Sequence, residues 1–386
     1  MAQKKFVLAM ALAILVCALV GMTSALTGGN YVAKLTNDST ADSFPSWSLD
    51  GEKIAFFSNH SGNWGIWVMN SDGSNKVQLA KITKKGAGFN LKWSPDGEKI
   101  AFTSNRSGNW DVWVMDSGGS NKTQLTTSPT EDFISAYSPF SVWSPDGEKI
   151  AFTSNRSGNW DVWVMDSDGS NKVQLTTNLT YAVNPVWSPS GNKIAFISDR
   201  SGNEDIWVMD CDGSTKMQLT INEGSDLYQA WSPDETKISF VSTFPSNRSV
   251  WVMDSNGNNR VQLTANVFGI TYPRWSPDGK KIAFSASFNQ NDALNIWIMN
   301  NDGSNKVQLT SSKESDFLPS WSPDGKKIAY TTDGNIYVTT LEETTPTTTA
   351  TPVTPSPTGK IPGFEAIITI SALLVVAYIA RLEIVR

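Results

Sequence analysis

Three aspartates share one spacing. Asp42, Asp226 and Asp316 each stand five residues before a Trp-Ser dipeptide. Aromatic side chains crowd the same stretches. Phe44, Tyr228 and Tyr272 lie three residues before a Trp, and Phe89 and Phe317 lie four before. Tyr137, Phe140 and Tyr181 are close by. Paired carboxylates are what glycoside cleavage needs, one as acid and one as base or nucleophile. Aromatic rings beside a few polar groups are what sugar or peptide recognition uses. A plainer reading competes with both: these side chains pack a loop onto the edge of the element beneath it.

Other candidates fall short of a site. His60 is the only histidine, which leaves no multi-histidine metal centre and no supported Ser-His-Asp set. Its place in a turn suits a turn residue better than a base. Asp166-Ser167-Asp168-Gly169 and Asp210-Cys211-Asp212-Gly213 begin like calcium loops. Such loops need glycine sixth and glutamate twelfth; here glycine is fourth, and Thr177 or Ile221 is twelfth. They read as hairpin turns. Asp111, Asp161 and Asp205 precede an apolar run in three copies of one segment, where Gly65, Asn295 and Asn335 stand in others. Short polar residues that bond the backbone fit a structural role there. No phosphate loop or nucleophile elbow occurs. No catalytic residue, cofactor or metal is expected.

The elements that carry these residues are repeats. Trp93 to Phe102 reads WSPDGEKIAF, and close copies start at Trp47, Trp143, Trp187, Trp231, Trp275 and Trp321. The gaps between successive tryptophans are 46, 50, 44, 44, 44 and 46 residues, a period typical of repeat architectures. Within a unit, Pro95-Asp96-Gly97 is a turn. Lys99 to Ser104, Val112 to Met115 and Thr123 to Thr126 are expected strands, joined by turns at Ser107-Gly108-Asn109 and Asp116 to Asn121. Four short strands make a sheet too small to stand alone. Their apolar runs do not alternate, which predicts cover on both faces. Sheets stacked radially against their own kind give a β-propeller.

The count closes a ring. Each of the first six units ends in a QLT-type strand, and the seventh stops at Ile336-Tyr337-Val338 without one. A lone Lys34-Leu35-Thr36 precedes the first Trp. It is expected to complete the last sheet and hide its edge. The fold class is therefore all-β: seven four-stranded antiparallel blades over 29–341, closed by an N-terminal strand. The Trp93–Ser117 and Trp143–Ser167 segments are identical, which marks those blades as scaffold. The link before Trp143 is the longest, so Ser128–Val142 is the loop that departs from the frame, and such loops tend to carry function.

The units resemble the TolB-type propeller repeat, a relative of the WD repeat, from Tyr31 to about Leu341. The resemblance implies the fold. It leaves function open, because relatives include periplasmic interaction proteins, substrate-gating domains of peptidases and surface-protein modules.

The ends read differently. Residues 1–25 look like a secretory signal peptide: Lys4 and Lys5, an apolar stretch, then Thr23-Ser24-Ala25 with cleavage expected after Ala25. One cysteine, Cys211, would remain, too few for an internal disulfide. Residues 342–360 are rich in Thr and Pro and should form an extended spacer. Residues 361–386 hold Pro362-Gly363-Phe364, an apolar C-terminal helix and a weakly basic end. That order resembles the archaeal PGF-CTERM sorting signal, in which a sortase removes the helix and a lipid is attached. The departure is that Arg381 and Arg386 are separated by Leu-Glu-Ile-Val, so a retained transmembrane anchor stays open.

Sequons occur at Asn37, Asn59, Asn105, Asn121, Asn155, Asn178 and Asn247, candidates for glycosylation after export. The net charge is −6 with no basic stripe, so nucleic acid is not an expected partner. The expectation is a monomeric cell-surface propeller, held to the membrane at its C-terminus, that binds an envelope protein or glycan without catalysis. A structural part of the surface layer and a carboxylate lyase or glycosidase are the alternatives.

Overall fold

The computed structural model describes residues 26–27, 30–37, 41–82, 90–134, 142–177, 181–244, 248–265, 267–290 and 292–341. The expected signal peptide, spacer and apolar helix, and the PGF motif, lie outside the described residues. So do Phe89, Tyr137, Phe140, Asn178 and Asn247.

Seven antiparallel sheets are present, six of them of four strands. Blade one runs Asp42–Trp47, Lys53–Ser58, Gly65–Asn70 and Val77–Lys81 from the centre outward. The seventh sheet contains Phe317–Trp321, Lys327–Thr332 and Asn335–Thr340, and its next strand is the N-terminal Asn30–Lys34. That strand pairs Tyr31 with Thr340 and Lys34 with Tyr337. The Leu35 amide donates to the Ile336 carbonyl at 2.9 Å, and the Thr36 hydroxyl accepts from the Ile336 amide at 2.9 Å. The same Thr contact recurs at Thr126, Thr176, Thr220, Thr264 and Thr310. The N-terminal segment therefore does what a fourth strand does in the other blades, as the missing and spare strands predicted.

Two details differ from the sequence reading. The third strand is longer than expected, Asp111–Asp116 in blade two. The fourth is shorter, only Thr123–Gln124 there. A two-residue edge offers little to a foreign strand. Side chains complete the lock. Asp111 accepts from Ser107, Gln124 and Thr126, Asp161 from Ser157, Gln174 and Thr176, and Asp205 from Ser201, Gln218 and Thr220. These buried aspartates tie third strand to fourth.

Blade meets blade through the repeat's own tryptophans. Each indole N–H donates to the carbonyl of the residue before the tryptophan of the preceding blade. Trp93 reaches Ser46, Trp143 reaches Lys92, and so on to Trp321 on Arg274. Trp47 on Ser320, at 3.1 Å, closes the circle. The following turn is self-bonded: the Ser94 hydroxyl accepts from the Lys99 amide and the Asp96 carboxylate from the Glu98 amide, both at 2.9 Å. At the hairpin beyond the third strand, Gly169 has φ +87°. A Cβ there would come 3.1 Å from the Leu125 backbone of the blade before it, so both conformation and contact require glycine.

The core lies between blades rather than within them. One cluster joins Phe57 and Ile66 of blade one to Ile100 and Phe102 of blade two. Another joins Ile336 and Val338 of blade seven to Trp47 and Phe56 of blade one. No sheet could keep its apolar faces dry alone, so each depends on its neighbours in the ring.

Candidate functional site: the central channel

The innermost strands line a channel. Most carry a bulge, visible as a register shift between Ser43 and Ser46, Val183 and Val186, Leu227 and Ala230, and Phe317 and Ser320. In the bulged strands the third residue before the tryptophan sits at positive φ: Phe44 (57°), Asn184 (56°), Tyr228 (60°), Tyr272 (50°) and Leu318 (58°). Asparagine enters that region readily, whereas a bulky side chain is strained there by about 1–2 kcal/mol. Phe44, Tyr228 and Tyr272 thus sit on innermost strands, not on loops. Tyr228 and Tyr272 pack with ring centroids 4.6 Å apart. The Arg274 guanidinium lies 5.7 Å above the Tyr272 ring. Phe44 rests edge-on against Phe57 at 6.2 Å.

A cavity of about 320 Å³ occupies the channel, lined by Phe44, Leu318, Asn90, Lys92, Arg274 and several prolines. A second cavity of about 650 Å³, walled by Pro95, Pro145, Pro189 and Pro323, shares Lys92 and Trp321 with the first. Lys92 and Arg274 occupy the position just before the tryptophan, where the other blades have Ser46, Val142, Val186, Ala230 and Ser320. Burial pushes the Lys92 ammonium well below its ordinary range, and the nearby Arg274 adds to the shift. Burial likewise lowers Arg274, which is only 7% exposed. Spacing had not singled out this pair. Aligning the repeats on tryptophan would have shown it, as two cations among small residues.

The carboxylates behave otherwise. Asp42, Asp226 and Asp316 are buried. Asp226 accepts from Asn222 at 2.6 Å and Asp316 from Ser312 at 2.7 Å. Burial pushes both carboxyls up, while neighbouring hydroxyls pull the other way. Their amides bond the preceding blade, at the Glu204 and Leu294 carbonyls. Asp132 belongs to the same set, since it pairs with Ser154 as Asp226 pairs with Ser242. The long link before Trp143 hid it by moving it out of register. Its partner is Arg156, at 2.8 Å.

Tyr181 stands at the same end of blade four and hydrogen-bonds Glu204. Phe317 is exposed. Phe133 is sandwiched between Trp110 and Trp160, with centroids 6.0 and 5.6 Å away. Sequence had not marked that stack, because its members come from different blades. His60 lies edge-on to Trp67 at 5.4 Å, and Arg106, Arg156 and Arg200 cover Trp113, Trp163 and Trp207 at that place in later blades. This row covers tryptophan faces. The Asp166 and Asp168 carboxylates accept from Asn171 and Ser170 within their hairpin. Among the described residues no group of three or more His, Cys, Asp or Glu could hold a metal ion.

The sequons divide. Asn37 and Asn121 are exposed. Asn59 and Asn155 are half-buried, and their side-chain oxygens accept from the amides of Ala41 and Glu131. Asn105 is 5% exposed; its burial removes it from the sites a glycan could occupy. Among the described residues no helix is long and apolar enough to cross a membrane.

Known proteins agree with this architecture. The TolB beta propeller domain model matches residues 140–267 and 227–352, together more than half of the chain. The PGF-CTERM motif model matches residues 361–382. A search of curated proteins found no match. Among solved structures, oligogalacturonate lyase from Vibrio parahaemolyticus superposes with a TM-score of 0.67 at 15% identity, over 84% of this chain and 97% of that one. TolB from Acinetobacter baumannii gives 0.53 at 21% identity, over 74% and 67%. Identities this low speak for the fold alone. With a model spanning over half its length and seven blades built on that repeat, the chain belongs to the TolB β-propeller domain family.

Proposed function

We propose that this protein is an exported propeller, anchored at the cell surface through its C-terminal motif, that binds an envelope protein or glycan at its channel without catalysing a reaction. The observation that carries this reading is the strain at the bulges. Asn184 is the residue that suits positive φ, yet Phe44, Tyr228 and Tyr272 hold bulky rings in the same conformation. Strain kept at a channel wall points from conformation to use. The sorting motif supports the anchored location. The N-terminal signal peptide and the exposed sequons Asn37 and Asn121 fit the same layout.

The lyase or glycosidase alternative draws less support. Its carboxylates are buried and held by neighbouring side chains, whereas paired catalytic carboxyls must flank a substrate bond. The test is capture from envelope extract on immobilised propeller. Wild type is expected to retain a partner, and Tyr228→Asn/Tyr272→Asn to retain several-fold less. Equal capture by both would remove the channel from the account. Turnover of a polysaccharide panel, lost on Asp226→Asn, would replace binding with catalysis.

A further inference from the structure

We infer that blade seven carries a second site, over its second and third strands, that takes the guanidinium of an arginine side chain from a polypeptide partner. The cavity there shares no described lining residue with the channel, so the inference stands apart from the binding reading above.

The other blades show what such a place holds. In blades two to four a phenylalanine of the second strand pairs with a tryptophan of the third. An arginine from the hairpin between those strands covers both rings. Blade three has the full set of contacts. The Arg156 guanidinium lies 5.4 Å from the Phe152 ring and 4.9 Å from the Trp163 ring. Its Nε donates to the Ser154 hydroxyl at 2.9 Å, and its Nη2 donates to Asp132 at 2.8 Å. An aromatic platform, a hydroxyl and a carboxylate together hold one guanidinium. His60 fills that place over Trp67 in blade one, and Phe288 packs on Trp297 in blade six.

Blade seven keeps the receptacle and lacks the arginine. Tyr330 pairs with Tyr337 as Phe152 does with Trp163, and the two rings stack at 5.8 Å. Thr332 ends the second strand where Ser154 ends it in blade three. Phe317 pairs with Thr331 as Phe133 pairs with Thr153, so Asp316 holds the place of Asp132. The hairpin differs. Six residues separate Ser154 from Asp161, whereas Asp333 and Gly334 alone separate Thr332 from Asn335. Both adopt positive φ in a tight turn, and none is left to stand where Arg156 stands. A cavity of about 330 Å³ is found instead, lined by Tyr330, Tyr337, Thr332 and Asp316 among others. Among the described residues, neither Asp316 Oδ2 nor the Thr332 hydroxyl has a hydrogen-bond partner, although both are buried. The Thr332 hydroxyl stands near enough to draw the Asp316 carboxyl down, yet makes no hydrogen bond to it. These two groups match the acceptors that Arg156 uses in blade three. Buried and unpaired, they are costly until a donor arrives.

The same residues narrow the choice of donor. Lys34 of the closing strand already lies 5.6 Å over the Tyr337 ring, so the platform accepts positive charge. Glu314, Asp316 and Asp333 outnumber Lys313 in the described lining. A guanidinium offers donors in a flat fork to a hydroxyl and a carboxylate at once, which the point charge of an ammonium does not. Free arginine would bring its own carboxylate against Glu314 and Asp333, with like charges opposed. An arginine within a polypeptide brings no such charge.

Titration calorimetry of the full chain tests this with an N-acetylated alanyl-arginyl-alanine amide, and with citrulline or lysine in place of the arginine. Citrulline has the shape without the charge. The arginine peptide is expected to bind, citrulline about tenfold or more weakly, and lysine several-fold more weakly. Asp316→Ala is expected to weaken the arginine peptide by about tenfold or more. Alanine already stands at this place in blade four, where Ala182 pairs with Ser198, so the variant should fold; an unchanged melting curve checks that. If it does not fold, the citrulline comparison on wild type decides. Arginine and citrulline bound equally, or no binding of the arginine peptide, overturns the inference. So does a folded Asp316→Ala that binds like wild type. Lysine bound as tightly as arginine overturns the guanidinium assignment. Tyr228→Asn/Tyr272→Asn should bind the arginine peptide as wild type does, and loss there would move the site to the channel and overturn the assignment to blade seven. Failure of the channel reading would leave these results unchanged.

Discussion

Neighbouring residues of the same strands follow opposite rules in this molecule. The tryptophan at the end of each innermost strand is the same in all seven blades, and its indole always bonds the blade before it. One residue back the side chains run Ser, Lys, Val, Val, Ala, Arg, Ser; three back they run Phe, Asn, Phe, Asn, Tyr, Tyr, Leu. The blades repeat one design, so what recurs in all of them is what holds the ring. What differs between them answers to something else. That contrast separates scaffold from site without any second sequence.

The contrast is broken most forcefully at the closure. Removing residues 26–36 takes the outer strand from the seventh sheet and the Thr36 hydroxyl from Ile336. The shortened chain is expected to lose its cooperative thermal transition, followed by circular dichroism. A single substitution, Leu35→Ala, should cost about 2–5 kcal/mol, as for other buried leucines. Native-like melting of the shortened chain would mean that the ring does not depend on its clasp.

The tryptophan ring comes next. Trp231→Ala should cost about 3–5 kcal/mol by leaving a cavity between blades. Trp231→Phe keeps most of the area and loses the bond to the Val186 carbonyl, an expected cost of about 1 kcal/mol. Chemical denaturation of both variants measures the ratio. If both cost the same, the hydrogen bond rather than the packing holds neighbouring blades.

This ranking also explains what the sequence could disclose. Trp93-Ser94-Pro95-Asp96-Gly97 is legible because each residue answers to local physics: turn geometry, a capping hydroxyl, a half-buried ring. Repetition then amplifies the signal, and the spare Lys34-Leu35-Thr36 completes the count. The channel is different. Nothing in the string around Tyr228 announces a positive φ, because tyrosine favours ordinary strands. Lys92 and Arg274 are far apart in sequence and meet only after the ring closes. Asp132 was displaced by the long link before Trp143, and Trp110 reaches Phe133 from the preceding blade. The spacing found the aromatic positions, and the structure sets Phe44, Tyr228 and Tyr272 on innermost strands.

Two buried aspartates sharpen the comparison at smaller amplitude. Asp161 locks strand to strand, with Ser157, Gln174 and Thr176 as donors. Asp161→Ala should cost about 1–3 kcal/mol, because those donors lose their acceptor. Asp226 is raised by burial. A carboxyl raised in the fold contributes stability below its unfolded pKa, and that contribution is lost as pH rises through the folded value. Asp226→Asn imitates the protonated acid. It should be more stable than wild type at pH 7, with the gap closing toward pH 4. Thermal melts across that range check the sign, and a gap that widens on acidification would show that the charged form is the one the fold holds.

The smallest effect is the most telling for function. Tyr228→Asn puts into the bulge the residue that blade four already uses at Asn184, in the same conformation. Asparagine relieves the strain of a bulky side chain at positive φ. The substitution also gives up the contact with Tyr272, a pair worth about 0.5–1.5 kcal/mol. The two terms nearly cancel, so stability should move by less than about 1 kcal/mol, with its sign set by how much of the ring stays wet in the channel. Against that small change, capture of a partner should fall several-fold. A stability loss as large as that of Trp231→Ala would put Tyr228 with the scaffold, and the division between what recurs and what varies would no longer mark the site.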